Sequence, residues 1–234
     1  MWSGPRNIST AMMRAFENRP YTEVVDEPFY AAFLVRSGAD HPLRAEVLAV
    51  HEADPEAVAR AIAGEASGGA AIFYQKHMTH HMLPGFPHGW MDRCRHAFLI
   101  RAPERVLASY VKRRAEVKAA DIGFAQQGEL FDEVAGRLGA APPVIDADDV
   151  LADPARALGA LCQALEISFD PAMLSWPAGP RASDGAWAPA WYDAVERSTG
   201  FAEPRPLPVL TDPHLATLAD EARPIYERLA RYRI

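Results

Sequence analysis

Near its N-terminus the sequence reads Ser3-Gly4-Pro5-Arg6-Asn7-Ile8-Ser9-Thr10. A Gly-Pro turn followed by a cation and two hydroxyl side chains is typical of a loop that leaves a strand and enters a helix. Apolar residues then recur at helical spacing, which predicts a helix start near Asn7 or Ile8. The free N–H groups at a helix start favour an anion. The segment therefore predicts an anion-binding strand-loop-helix, with simple capping by Ser9 and Thr10 as the alternative.

The strand expected before this loop has little sequence of its own. Only Met1 and Trp2 precede Ser3. Either the central strand is unusually short, or the natural chain begins further upstream.

Beyond this loop, short apolar runs alternate with amphipathic helices. Strands are predicted at 21–25, 70–74, 97–100 and 143–146, and helices start at Asp54-Pro55, at Pro103, at Asp153-Pro154 and at about Pro213. The alternation predicts an α/β fold, a single domain over 1–234 with a mostly parallel sheet of about five strands flanked by helices. Residues 177–213 are rich in Pro, Gly and Trp, and we expect them to form a lid or site-covering segment within that domain.

Polar side chains follow four of the five predicted strands. They are Arg6, Glu27, Lys76 with His77, and Arg101. Ligands of such sheets collect at the carboxyl ends of the strands, so we expect these residues to converge on one cleft. The histidine-rich run at 75–81 is interpreted here as a polar loop after the third strand.

The overall composition limits the classes of partner. A net charge of -7 argues against a nucleic-acid surface, and no apolar run approaches the length of a membrane helix. The two cysteines, Cys94 and Cys162, have no disulfide or zinc spacing, and no signal peptide is evident, so we expect a cytoplasmic protein. A homodimer is left open.

The anion loop does not fit magnesium-dependent nucleotide chemistry. The chain has no Gly-x-x-x-x-Gly-Lys-Ser/Thr run, and the strand ending at Ile100 is followed by Arg101 instead of an acidic metal ligand. Two alternatives nevertheless stay open, a small-molecule kinase of the P-loop-like class and a nucleotide-binding protein without catalysis.

Two motifs resemble those of one enzyme family. Pro5-Arg6-Asn7-Ile8-Ser9-Thr10 is similar to the phosphosulfate loop of sulfotransferases, which use 3′-phosphoadenosine-5′-phosphosulfate (PAPS) as donor. The run from Leu99 to Tyr110 resembles the family's 3′-phosphate segment, with Arg101 and Ser109 in the places of its arginine and serine. A third stretch, 148–174, is similar to a later segment that looks structural. The likeness spans most of the chain and fits the bacterial-type small-molecule branch of the family.

The resemblance implies a P-loop-like nucleotide-binding fold and two separated anion clamps. Pro5, Arg6, Asn7, Ile8, Ser9 and Thr10 would hold the phosphosulfate, and Arg101 with Ser109 would hold the 3′-phosphate. Arg6 departs from the family's usual lysine, and Ile8 stands where glycine is frequent. Arg181, in a stretch similar to a late family loop, is a candidate second clamp. The implied product is adenosine 3′,5′-bisphosphate, and no metal is expected.

The resemblance leaves the proton acceptor open. Sulfuryl transfer needs alignment of the reactants, stabilisation of charge on the bridging oxygen, and a base for the hydroxyl or amine of a small-molecule acceptor. Arg6 can supply the charge stabilisation. His77 and Glu27 both match bases of the family, and the sequence does not choose between them. Lys76 is displaced by one position from the family lysine, so its side chain is expected on the other strand face. A metal cluster of His77, His80 and His81 is the weaker alternative, because no carboxylate or cysteine completes it. The aromatic residues of the 177–213 region do not identify the acceptor.

Overall fold

The computed structural model describes residues 1–66, 68–114 and 116–234, and these form two compact units. The first unit comprises Met1–Ser9, His96–Phe169 and Ala202–Ile234. The second unit comprises Thr10–Arg95 and Asp170–Phe201.

Five strands pair in parallel within the two units. Their bounds are β1 Trp2–Ser3, β2 Thr22–Asp26, β3 Ile72–Met78, β4 Phe98–Ile100 and β5 Val144–Asp146. In the first unit β1 pairs with β4, Trp2 opposite Phe98, and β4 pairs with β5. In the second unit β2 pairs with β3, Asp26 opposite Lys76. The predicted α/β class, with a mostly parallel sheet of five strands flanked by helices, is confirmed.

The helices of the first unit cover its three strands. They are α5 Pro103–Tyr110, α6 Ala119–Ile122, α7 Phe124–Leu138, α8 Ala147–Ala152, α9 Pro154–Ala164 and α12 Pro213–Ala230. The apolar faces of α5 and α12 pack together around Val106, Leu107, Leu218 and Ala222, all buried. Asp153 caps α9 by accepting from Arg156 N, as its Asp-Pro signal predicts.

The second unit has its own apolar core. Its helices are α1 Ser9–Glu17, α2 Tyr30–Ser37, α3 Arg44–Val50, α4 Pro55–Ile62, α10 Ala188–Trp191 and α11 Asp193–Glu196. The first residue of α1, Ser9, belongs to the first unit. Short 3₁₀ turns lie at Thr79–His81, Gly89–Arg93 and Pro171–Leu174. Tyr30, Leu34, Val47 and Trp187 are buried together in this core.

The first strand is two residues long but well anchored. Trp2 is buried, stacks near Phe98, and donates from Nε1 to His96 Nδ1 at 3.1 Å. The helix after the loop begins at Ser9, one or two residues later than the pattern predicts.

The largest correction concerns the third strand. It was expected to end at Tyr74 with a polar loop at 75–81, but β3 continues to Met78 and Gln75, Lys76 and His77 are buried within it. Their polar groups have partners inside the second unit, so burial does not leave them unsatisfied. A polar sequence therefore concealed a buried strand.

The region predicted as a lid is shared between the units. Residues 177–201 belong to the second unit and residues 202–213 to the first. A covering role stays a prediction, as does the single domain over 1–234. Within the described residues, no helix combines the length and the apolar character needed to cross a membrane.

Candidate active site

The loop between β1 and α1 has an unusual backbone. Arg6 and Ile8 both have positive φ, 61° and 57°, in the left-handed region. A β-branched side chain is disfavoured there, so the turn at Ile8 is strained. Gly4 makes the close approach possible, since an added Cβ would lie 3.0 Å from the carbonyl oxygen of Ile122. Such strain persists only where the surroundings hold it.

Hydrogen bonds from the first unit hold this loop in place. Asn7 Nδ2 donates to Leu99 O at 3.1 Å, and Gln127 Nε2 donates to the same oxygen at 2.9 Å. Arg101 Nη1 donates to Arg6 O at 2.6 Å. The loop is therefore fixed to β4 and to the residue that follows it. Gln127 was not anticipated, because a single glutamine in an amphipathic helix gives no sequence signal.

The two segments that resemble the phosphosulfate loop and the 3′-phosphate segment of the family are in direct contact. Arg6 Nε donates to Ser109 Oγ at 2.9 Å, so the strand-exit loop meets the last turn of α5. Together with the bond from Arg101 to Arg6, this makes one cluster of two guanidinium groups and a hydroxyl. We call Arg6, Asn7, Arg101 and Ser109 the arginine cluster. Of the four predicted strand exits, Arg6 and Arg101 meet here.

Two guanidinium groups concentrate positive charge in the arginine cluster. Burial lowers the pKa of Arg101, Asp148 partly opposes this, and Arg105 and Arg6 lower it further. Three of the buried side-chain atoms that have no hydrogen-bond partner among the described residues belong to this loop and its surroundings: Ser3 Oγ, Asn7 Oδ1 and Arg101 Nε. A bound anion would compensate the charge and occupy Arg101 Nε. The site thus fits an anionic ligand.

The other predicted loop residues lie at the helix start. Pro5 is half-buried in the turn, Ser9 is the buried first residue of α1, and Thr10 is the second. Arg105, in contrast, is occupied elsewhere. It pairs with Asp148 at 2.7 Å and donates to the carbonyl oxygens of Arg205 and Pro206.

In the second unit, the other two strand exits meet. Lys76 Nζ donates to Asp26 Oδ1 at 2.8 Å, to Glu27 Oε1 at 2.7 Å and to Tyr192 OH at 2.6 Å. Tyr192 OH donates in turn to Asp26 Oδ2 at 2.6 Å. We call Asp26, Glu27, Lys76 and Tyr192 the buried charge cluster. Tyr192 is one of the aromatic residues of the 177–213 region, and nothing in the local sequence indicates this contact.

The protonation of this cluster follows from its burial and from the presence of two carboxylates beside one ammonium group. Burial raises the pKa of Glu27, Lys76 lowers it in part, and Asp26 raises it again, leaving it above its usual value. Burial alone would lower the pKa of Lys76, but the two carboxylates raise it. Lys76 therefore stays charged while Glu27 binds a proton more readily than an exposed glutamate.

His77 points away from this cluster. Gln75 Nε2 donates to Ile62 O at 2.7 Å, so Gln75 Oε1 is the acceptor of His77 Nε2 at 3.1 Å. The His77 ring also stacks on Trp90, with 4.8 Å between centroids. Since side chains alternate along a strand, Gln75 and His77 lie on one face of β3 and Lys76 on the other. The two base candidates consequently have different surroundings.

The remaining candidate, Arg181, lies in the second unit. Its Nη2 donates to Pro177 O at 2.9 Å, and its backbone N–H donates to Asp184. Asp184 is also 2.7 Å from Arg14 Nη2 on α1. Arg181 as a phosphate clamp stays a prediction. Trp187 and Tyr192 are buried, as is Trp176 just before the region, so these side chains fasten this part of the 177–213 region to the second unit.

The histidines considered as a metal cluster are surrounded by aromatic rings. His81 stacks on Tyr30 and Phe33, and His80 meets Phe33 edge-on. Within the described part of the chain, no group of three or more His, Cys, Asp or Glu side chains is arranged to hold a metal ion.

Comparison with known proteins identifies a family. The profile described as a sulfotransferase domain matches residues 1–231. Two Arabidopsis thaliana proteins, branched-chain-amino-acid aminotransferase-like proteins 1 and 2, are 39% and 36% identical over 228 residues, or 97% of this chain. The chain spans 40% of the length of each of these relatives.

Solved structures show the same fold at low identity. The sulfotransferase domain from the curacin biosynthetic pathway matches with a TM-score of 0.54 and 15% identity, over 95% of both chains. The sulfotransferase domain of the Synechococcus PCC 7002 olefin synthase matches with a TM-score of 0.51 and 17% identity, over 94% of this chain and 92% of that one. At these identities the likeness concerns the fold.

Proposed function

This chain belongs to the sulfotransferase family, and from that premise we propose that it moves a sulfuryl group from PAPS to a hydroxyl or amine of a small-molecule acceptor. The observation that carries the proposal is the direct contact between the two donor-binding motifs. Arg6 of the first motif is hydrogen-bonded to Ser109 of the second, and Arg101 to the backbone of Arg6.

The arginine cluster would bind the donor. PAPS supplies an activated sulfuryl group and carries phosphates on both sides of its ribose. Arg6, Asn7, Ser9 and Thr10, with Pro5 and Ile8 shaping the turn, would hold the phosphosulfate, and Arg101 with Ser109 the 3′-phosphate. Guanidinium groups suit both places because they stay charged and can bind two oxygens at once. The unpartnered Arg101 Nε supports this assignment.

The chemical step needs a base and charge stabilisation. The acceptor oxygen or nitrogen attacks sulfur, and the bond from sulfur to the bridging oxygen breaks. The electron pair stays on that oxygen, where Arg6 would stabilise it, and adenosine 3′,5′-bisphosphate leaves. The acceptor proton passes to the base. Of the two candidates we favour Glu27, because Lys76 donates to one of its carboxylate oxygens and holds it in place, whereas His77 Nε2 is hydrogen-bonded to Gln75.

Separate substitutions of the two base candidates test this choice. Glu27→Gln is expected to lower the single-turnover rate by about 100-fold or more, as loss of a general base does. His77→Gln should have a much smaller effect, because the His77 Nε2 proton is already bonded to Gln75. The rate is measured by release of adenosine 3′,5′-bisphosphate from PAPS. A large loss of rate in His77→Gln together with an unchanged rate in Glu27→Gln would identify His77 as the base instead of Glu27.

Calorimetry tests the donor site without requiring an acceptor. The unsubstituted protein should bind adenosine 3′,5′-bisphosphate more tightly than adenosine 5′-monophosphate. Arg101→Gln should weaken binding of the bisphosphate by about 10- to 100-fold, the value of one charge-assisted contact, and abolish the preference.

Arg137→Gln is the matched control, because Arg137 lies in the same unit and pairs with Glu133 on the exposed side of α7. It should leave both affinities unchanged. Tighter binding of magnesium-ATP than of the bisphosphate would support the kinase alternative. Bisphosphate binding without turnover across a panel of alcohols, phenols and amines would support a protein that only binds nucleotides.

A further inference from the structure

The members of the buried charge cluster differ in solvent exposure. The side chains of Lys76 and Asp26 are 1% exposed, whereas that of Glu27 is 10% exposed. Tyr192 is also buried. Among the three charged members, Glu27 alone retains appreciable accessible surface. The cluster therefore has an inner part, Asp26 with Lys76, and an outer carboxylate.

The backbone explains how two successive carboxylates reach one ammonium group. Asp26 and Lys76 are register partners in the parallel pair β2 and β3, so their side chains are neighbours. In regular strand geometry the next residue, Glu27, would point to the opposite face. Its φ of 40° interrupts the alternation and returns its carboxylate to Lys76. A non-glycine residue at positive φ is costly, so the surrounding contacts must hold this conformation.

The hydrogen bonds of Lys76 account for all three of its protons. They go to Asp26 Oδ1, Glu27 Oε1 and Tyr192 OH. Tyr192 OH also accepts from Trp187 Nε1 at 3.0 Å and gives its own proton to Asp26 Oδ2. Lys76 thus cannot rotate without breaking several bonds. Lys76 therefore fixes the position of Glu27 Oε1 and does not bind Glu27 Oε2.

Among the described residues, the second oxygen of Glu27 has no contact as close as that between Oε1 and Lys76. Oε2 lies 3.8 Å from His81 Nδ1, beyond hydrogen-bond distance. Burial, with His80, His41, Lys76 and His77 nearby, lowers the pKa of His81 well below its usual value, so this ring is neutral. Lys76 is the nearby cation, and it faces Oε1.

We propose that Lys76, itself oriented by Asp26 and Tyr192, is a positioning residue that holds Glu27 through Oε1 and leaves Oε2 to take the acceptor's proton. The proposal rests on the proposed function and on Glu27 as its base. It assigns Lys76 a role through Glu27 instead of direct contact with the donor.

The pH dependence of the rate separates positioning from a purely structural role. Removing the ammonium group in Lys76→Met raises the pKa of Glu27, since an opposite charge is lost and Asp26 remains. The single-turnover release of adenosine 3′,5′-bisphosphate from PAPS, with water as acceptor, should fall by at least tenfold at about pH 6. Most of this loss should be recovered as the pH is raised and the Glu27 carboxyl ionises. Glu27→Gln should instead lose rate at every pH. A Lys76→Met profile that keeps the wild-type shape would overturn the proposal.

Tyr192→Phe provides a second test that preserves the size of the side chain. It removes the hydroxyl that orients Lys76, so the titration midpoint of Glu27 should rise, by less than in Lys76→Met. Carbon-13 NMR of side-chain glutamate carboxyls follows that midpoint, and the Glu27→Gln spectrum identifies the signal. Tyr21→Phe is the matched control, because Tyr21 is 79% exposed in the same unit. It should leave the midpoint unchanged.

The two measurements also separate the proposal from its premise. Absence of any PAPS turnover by the unsubstituted protein would contradict the proposed function, whereas the NMR titration still reports whether Lys76 and Tyr192 control Glu27. If Lys76→Met does not fold, Tyr192→Phe decides alone. A Glu27 midpoint equal in Tyr192→Phe and the unsubstituted protein would show that the cluster does not position Glu27.

Discussion

Ile8 is a β-branched residue in a conformation that such residues disfavour. Its φ is 57°, in a region that costs an L-residue about 1–2 kcal/mol and costs glycine nothing comparable. Ile8→Gly and Ile8→Ala both remove the side chain beyond Cβ, so their difference isolates the backbone. We expect Ile8→Gly to be more stable than Ile8→Ala by about 1 kcal/mol, measured by urea unfolding.

This order is the reverse of the usual one, in which alanine is more stable than glycine. The expectation would fail if Ile8→Ala proved as stable as Ile8→Gly. The frequent glycine of the family at this position has the same explanation, since the loop turns through a conformation that favours a residue without Cβ.

At the scale of elements, an ion pair fastens part of the 177–213 region to helix α1. Arg14 is 1% exposed and lies 2.7 Å from Asp184, and although burial alone would lower the pKa of Arg14, Asp184 raises it. Removing the charge of Asp184 leaves the buried Arg14 only with the weaker contact to Glu17, at 3.4 Å. Asp184→Asn should therefore destabilise the protein by about 3 kcal/mol and expose peptide bonds of 177–187 to limited proteolysis.

The control is an exposed pair in the same segment. Asp193 and Arg197 form an i,i+4 pair in which Arg197 is 72% exposed. Asp193→Asn should cost no more than about 0.5 kcal/mol and leave the cleavage pattern unchanged. Equal effects of the two substitutions would mean that Arg14 does not hold the segment.

For the whole molecule, buried neutral histidines predict sensitivity to acid. Burial, with His41 nearby, lowers the pKa of His80 to about 3 from its usual 6.5, and that of His81 is also well below. Among the described residues, the Nδ1 atoms of both rings are buried without a hydrogen-bond partner. The folded state then resists protonation. The contribution of these neutral histidines to the free energy of unfolding is fully present above pH 6.5 and is lost as the pH falls towards 3.

The slope of stability against pH measures this effect. Each such histidine contributes up to about 1.4 kcal/mol per pH unit within the window. Glu27 and Asp146 oppose it, because burial raises their pKa values and the folded state gains from their protonation. Urea midpoints between about pH 7 and pH 4 should fall less steeply in His80→Leu than in the parent. An unchanged slope in His80→Leu would contradict the assignment.

The sequence alone determined the local features of this protein. The Gly-Pro-Arg loop, the arginine after an apolar strand, and the Asp-Pro helix starts are each encoded in a few consecutive residues, and local sterics and hydrogen bonds fix their form. The order of strands and helices, and hence the α/β class, follows from such signals. Only the tertiary structure decided that Arg6 meets Ser109 and that Lys76 lies between Asp26 and Glu27.

The physical reason is that these contacts join residues about 50 to 100 positions apart through sheet register and helix packing. The same dependence explains the error at β3. Local hydrophobicity cannot show that Gln75, Lys76 and His77 belong to a buried strand, because their partners are on other elements. Nor could the sequence show that a left-handed turn at Glu27 brings both acidic residues to one lysine. Consecutive residues of the sequence define the loop, whereas the contacts of Asp26, Glu27 and Lys76 depend on the tertiary fold.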